Sequence, residues 1–270
     1  MNQDAGCRIQ GINSLLLSCI LHLYLRIFES PPRKQTMATV FVGTSGYDYP
    51  EWKPGFYPAD LPRKKFLQYY STRFRSVELN NTFYQMPNQA RINSWSAATP
   101  EHFRFVLKAP RRITHSEKLK LPSESVDYFL RAASGLNERL GALLFQLPPF
   151  FRCDNEKLSG FLAAMPPGIR AAFEFRHDSW FTEETYRILE AHAAALCVND
   201  ADEKTTPVRL TAPFAYLRLR KSRYLPEQRR EWQERIRNWA GQGIDVFAFI
   251  KHEDNPEAPL VALEFESGIM

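Results

Sequence analysis

The chain reads as an α/β protein, a (β/α)8 barrel of the TIM type, and three observations predict it. Short β-rich runs alternate with amphipathic stretches, the pattern of a parallel α/β fold. Eight such runs follow Met37, in a stretch close to the ~250 residues that a single α/β barrel fills. No Gly-x-Gly-x-x-Gly follows the first run; Gly43-Thr-Ser-Gly46 leads into a loop rich in proline and aromatics, which argues against a doubly wound, dinucleotide-binding sheet.

In chain order, a first strand is expected over 39–42 (TVFV), then a helix over 63–74. Strand two (76–79, SVEL) precedes a helix over 89–97, and strand three (103–107, FRFVL) a helix over 123–140 that Ser123 caps. Strand four (142–145, ALLF) leads to a helix over 156–165 with Asp154 at its start. Strand five (171–175, AAFEF) leads to one over 182–192, where Thr182 precedes Glu183 and Glu184 in the first turn. Between strand six (194–198, AALCV) and strand seven (215–219, AYLRL) the link is short and holds Pro207 and Pro213, so this segment is expected to be irregular. Pro226 and Glu227 open a helix over 226–240, strand eight covers 246–250 (VFAFI), and a last helix covers 259–266.

Of 270 residues, 44% are hydrophobic and 24% charged, which excludes a disordered or fibrous chain. The net charge of +5 permits an anionic partner without demanding one. Cys7, Cys19, Cys153 and Cys197 lack CxxC spacing, so neither a disulfide scaffold nor a structural zinc site is expected, and a reducing, cytoplasmic setting fits. Residues 1–36 contain the most apolar run, 11–28. His22 and Arg26 interrupt it, it falls short of the ~20 clean residues a span requires, and no small-x-small cleavage site follows. We read 1–36 as a poorly ordered appendage and 37–270 as one barrel domain with no membrane segment.

The functional signal is what ends each strand. Strand one ends in Thr44-Ser45, strand two in Glu78-Leu-Asn80, strand three in Lys108 and strand four in Gln146. Strand five carries Glu174-Phe-Arg176, and Asn199-Asp200 closes strand six, Arg218-Leu-Arg220 strand seven and Lys251-His252 strand eight. A barrel gathers these ends on one rim, where such folds build active sites, and strand alternation sets Glu78 with Asn80 and Glu174 with Arg176 on common faces. Polar strand ends also arise where a strand merely meets solvent, but the opposite ends are not decorated in this way. His115, after strand three, adds a group that titrates near neutrality, and Trp52 and Tyr57 in the loop after strand one suggest a lid or stacking wall. There is no HExxH and no Gly-x-Ser-x-Gly, and Cys197 lies within strand six, so no metal, no cofactor and no serine-hydrolase chemistry are expected.

Gly43-Thr-Ser-Gly-Tyr47, Trp52, Phe56-Tyr-Pro58 and Glu78-Leu-Asn-Asn-Thr-Phe-Tyr84 appear in order with Phe103-Arg-Phe-Val-Leu-Lys-Ala-Pro110, Thr114-His115 and Leu144-Phe-Gln-Leu-Pro-Pro149. Glu174-Phe-Arg-His-Asp-Ser-Trp180, Phe214-Ala-Tyr-Leu-Arg-Leu-Arg220 and Lys251-His-Glu-Asp254 complete the series. As a set they resemble the YecE-like family, domain of unknown function 72. The resemblance implies a TIM-type barrel and delivers no reaction. It departs at Arg220-Lys221 and at Lys251 to Asp254, where many members carry His-Gly and an Asn-Asn-Asp-type segment.

The expected function is an enzyme, of hydrolase or lyase class, or a binder, that takes an anionic small molecule at the rim. Lys108, Arg176 and Arg218 would hold the anion, and Glu78 and Glu174 would form an acid/base pair. Nearby cations would lower the carboxyl pKa values, which opposes the raised value that an acid needs. The alternatives are a nucleic-acid binder or nuclease, with phosphate contacts from Arg111, Arg112, Arg220, Lys221 and Arg223 and stacking by Tyr216, Tyr224, Trp232 and Trp239, and a noncatalytic interaction protein.

Overall fold

A computed structural model describes residues 38–251 and 256–269; the expectations for residues 1–36 and for His252 lie outside the described residues. Among the described residues eight strands occur: β1 (Val40–Thr44), β2 (Ser76–Leu79), β3 (Arg104–Lys108), β4 (Leu140–Gln146), β5 (Ala171–Glu174), β6 (Ala195–Asp200), β7 (Phe214–Leu219) and β8 (Asp245–Ile250). All neighbours are parallel, in the order β1-β8-β7-β6-β5-β4-β3-β2. This is the (β/α)8 arrangement the sequence predicts.

The cylinder closes between β1 and β2 by side chains as much as by ladder. One backbone bridge, Ser45 to Glu78, joins the two strands. Below it the Tyr70 hydroxyl fills the gap, accepting from the Thr44 N–H (2.9 Å) and donating to the Ser76 carbonyl (3.2 Å). Gly43 permits this approach, because a Cβ there would lie 2.2 Å from the Ser76 carbonyl oxygen.

Strand alternation divides the core in two. Val42, Val77, Leu107, Phe145, Phe173, Val198, Leu217 and Ile250 face the helices. Phe41, Val106, Ala142, Leu144, Ala172, Ala195, Cys197, Phe214, Tyr216, Phe247 and Phe249 fill the interior. Rings of the neighbouring strands β1, β8 and β7 pack on one another inside, and β4, β5 and β6 contribute the smaller Ala142, Ala172 and Ala195, so the cylinder is packed rather than open.

The helices are α1 (Phe66–Tyr70), α2 (Gln89–Ala98), α3 (Glu124–Ser134), α4 (Asn155–Ala163), α5 (Glu183–Ala191), α6 (Pro226–Gly241) and α7 (Ala258–Ser267). Ser123, Asp154 and Thr182 cap α3, α4 and α5 by accepting backbone N–H groups of Val126, Lys157 and Thr185. Two helices are shorter than their sequence patterns suggest. The expected 63–74 helix is regular only over α1, after a tight turn at Arg63–Lys65. The expected 123–140 helix stops at Ser134; Gly135 follows, Asn137 takes a positive φ of 48°, and the chain turns into β4. No helix occurs in the link from β6 to β7, as its two prolines predict. No helix among the described residues is long and apolar enough to cross a membrane.

Candidate functional site

The C-terminal strand ends surround a buried charge triad. Arg218, at the end of β7, donates from Nη2 to Glu78 Oε1 (2.8 Å) and from Nη1 to Glu174 Oε2 (2.6 Å). The three side chains expose 1%, 0% and 2% of their surface, so one guanidinium spans the barrel between carboxylates of β2 and β5 with almost no water. Glu78 also accepts from Ser45 Oγ (2.9 Å) and Tyr216 Oη (2.7 Å), and Glu174 from Gln146 Nε2 (2.8 Å), with Arg176 Nε 3.5 Å away. Burial alone would raise both carboxyl pKa values. Arg218 and the hydrogen bonds around Glu78 reverse that and lower it, while Arg218, Arg176 and Gln146 hold Glu174 down to about 2. Both carboxylates are held ionised at neutral pH, the form that accepts a proton.

Lys108 stands apart from this triad. It is 9% exposed at the end of β3, with Nζ 4.3 Å from the centre of the Phe83 ring. Among the described residues no hydrogen-bond acceptor or carboxylate lies within bonding range of that nitrogen. Burial, and then the charge of Arg218, lower its pKa to about 8 against the opposing pull of Glu174 and Glu78. The loop that carries Phe83 is pinned to the β3 end by the Thr82 hydroxyl, 2.7 Å from both the Leu79 and Lys108 carbonyls.

Above these groups opens a cleft of about 480 Å³ lined by Tyr49, Asn80, Asn81, Tyr84, Lys108, Gln146, Arg176, Arg218 and Arg220. Four lining side chains are cationic and no carboxylate lines it among the described residues, since Glu78 and Glu174 lie beneath. Low-dielectric walls around a surplus of one charge focus the field on the opening and attract anions. Asn80 Oδ1 and Arg218 Nε are buried there without a hydrogen-bond partner. A smaller cavity of about 270 Å³ adjoins, sharing Arg176 and Arg220 and reaching Glu174 and Asn199.

The structure thus brings together Ser45, Glu78, Asn80, Lys108, Gln146, Glu174, Arg176 and Arg218. It does not bring Asp200, which sits on the helix side of β6, where it accepts from Tyr224 Oη (3.0 Å), Trp232 Nε1 (2.9 Å) and Thr205 Oγ1 (2.6 Å). Thr44 serves the β1–β2 seam and its own turn, donating to the Gly46 carbonyl. Trp52 and Tyr57 are packed away rather than forming a lid: they stack on each other, Tyr57 also stacks on Phe66, and both are at most 1% exposed. Lys251 lines a separate groove with Lys221, Arg223 and Arg229. His115 abuts the edge of Phe83 (ring centres 5.1 Å apart) without lining the cleft, and burial together with Lys108 and Arg111 lowers its pKa.

Sequence reasoning missed Tyr49, Asn81 and Tyr84 as lining residues, because loop side chains carry no periodicity. Tyr216 was legible in principle, two residues before Arg218 on the same face of the same strand. Cys197 is buried inside the barrel with its thiol pKa raised by burial, as its place within the strand suggests. No group of three or more His, Cys, Asp or Glu side chains that could hold a metal ion occurs among the described residues.

Comparison with known proteins gives kinship without a reaction. Residues 41–269 match the family model described as "Protein of unknown function DUF72". The UPF0759 protein YunF of Bacillus subtilis (strain 168) is 25% identical over 258 residues, covering 81% of this chain and 90% of that protein. The crystal structure of a DUF72 family protein (TM1631) from Thermotoga maritima MSB8 superposes with a TM-score of 0.69 at 28% identity, over 85% of this chain and 98% of the other. A DUF72 family protein (EF0366) from Enterococcus faecalis V583 shares the fold, with a TM-score of 0.67 at 18% identity over 86% and 95%.

Proposed function

This chain belongs to the DUF72 family, and from that premise we propose that the C-terminal mouth of its barrel binds a small anionic molecule and acts on it as an enzyme of the lyase or hydrolase class. One observation carries the reading: four cationic side chains line a single cleft whose two nearest carboxylates are both taken up by Arg218. Arg218 gives both terminal nitrogens to those carboxylates, and the planar forks of Arg176 and Arg220 at the same cleft suit a carboxylate or phosphate, with Lys108 deeper in the cleft. Glu78, Ser45, Tyr216, Glu174 and Gln146 form the scaffold that holds the floor of the site. The two buried carboxylates stay ionised, so a proton for a leaving group would come from Lys108 and not from Glu78 or Glu174.

Nucleic acid is the weaker partner. Tyr216, Tyr224, Trp232 and Trp239 are all buried, so they supply no stacking platform. Arg112 pairs with Glu117, and Lys221 lies 3.3 Å from Asp200.

The test uses inorganic phosphate as the probe, titrated calorimetrically into wild type and Arg176→Ala at low salt. Saturable 1:1 binding weakened at least tenfold by the substitution is expected. Equal heats in both proteins would remove the anion site from this cleft.

A further inference from the structure

We propose that Lys108 is a nucleophile that forms an imine with a small aldehyde or ketone carrying an anionic group. This rests on the anion-binding reading above and names the substrate class of the same cleft. Lys108 is 9% exposed as a residue and lines the cleft, and its ammonium has no hydrogen-bond acceptor among the described residues. Here both nearby carboxylates are claimed by Arg218, whose own charge further disfavours the ammonium. The arrangement makes the ammonium easier to deprotonate than an ordinary lysine, which supplies a larger share of the free amine that a carbonyl addition requires.

The remaining groups fit the sequence of steps. Lys108 first loses its proton to solvent, and the free amine adds to the carbonyl carbon. A proton moves from nitrogen to the former carbonyl oxygen to give the carbinolamine. Asn80 Oδ1, buried and unpartnered at the same cleft, is the acceptor for that new hydroxyl. A proton returns from solvent, water departs, and a C=N bond carrying N–H and a positive charge remains. The net change is ammonium plus carbonyl giving iminium plus water, with no redox partner. The positive charge stays in the field of Glu78 and Glu174, which already acts on Lys108. An iminium is an electron sink for breaking a bond at the neighbouring carbon, and so belongs to a lyase.

Borohydride trapping tests this, with pyruvate and dihydroxyacetone phosphate as probes and lactate and glycerol 3-phosphate as carbonyl-free anions. The expected result is a mass gain equal to the probe less one oxygen atom, mapped to the peptide containing Lys108. It should be absent in Lys108→Arg and with the carbonyl-free anions, and its yield should rise as pH passes through about 8. Carbonyl probes that bind in calorimetry but leave Lys108 unmodified, or label surface lysines equally, overturn the imine and spare the anion site. Trapping at Lys108 without measurable binding of either carbonyl-free anion keeps the imine and removes the anion site. Neither binding nor trapping removes both.

Discussion

The two ends of the barrel interior are built to opposite plans. At the N-terminal end Phe41 stacks on Phe247 (4.8 Å, 13°), and Phe214 meets Phe247 edge-on at 6.2 Å. Arg170 lies across the rings of Phe214 and Phe247, and its charge is answered by Asp245 at 2.5 Å. At the C-terminal end β7, β2, β5 and β3 carry Arg218, Glu78, Glu174 and Lys108, and among the described residues the lysine has no bonded counter-ion, its ammonium lying over the Phe83 ring. The contrast separates residues that hold the cylinder together from one that the fold carries at a cost. Conformations and charges that burden the folded state persist where they serve chemistry.

The sharpest way to break the contrast is Arg218→Met. It leaves two ionised carboxylates in the barrel without their counter-ion, and we expect a loss of about 3–5 kcal/mol in urea denaturation. Phe247→Ala at the opposite end should cost about 3–4 kcal/mol through the cavity it opens, while leaving phosphate affinity within twofold of wild type. Lys108→Met should do the reverse, stabilising the protein by on the order of 1–3 kcal/mol at pH 7.

The sign of that last effect follows from linkage. The folded-state pKa of Lys108, about 8, lies below the unfolded value, so the folded protein releases the proton first. Stability of the wild type therefore rises between about 8 and ~10.4, and the advantage of Lys108→Met shrinks over that window. An advantage independent of pH would show that the lysine is not a buried burden. Smallest of all, Arg176→Ala should change stability by no more than about 0.5 kcal/mol, because the side chain is half exposed, while weakening phosphate binding.

Most of the cylinder could be read from the chain because each strand announces itself by β-branched and aromatic runs between turn residues. The polar strand ends were informative for the same reason: once a strand is placed, alternation assigns each side chain to a face. That logic located Glu78, Lys108, Glu174 and Arg218. It fails at Asn199-Asp200, where two adjacent polar residues must face opposite sides and the sequence does not say which. The observed register turns Ala195 and Cys197 inward, and hence Asn199 too, leaving Asp200 to anchor Tyr224 and Trp232. Trp52 and Tyr57 were misread for another reason. A loop has no period, so the cluster that buries them is visible only once Phe66 and Tyr70 are in place beneath. The charge states were the least legible, since they depend on Arg218 lying between two carboxylates nearly a hundred residues apart in the chain.

Tyr70 sets one further condition on the molecule. A phenol that substitutes for rungs of a sheet makes the junction of β1 and β2 a latch instead of a weld, and the neighbouring fastening, Ser45 Oγ to Glu78, belongs to the floor of the cleft. Anything that redistributes charge around Glu78 therefore pulls on the clasp of the hoop, and the deuterium uptake of the Thr44 amide, whose hydrogen is held by the phenol oxygen alone, becomes a gauge of what occupies the mouth.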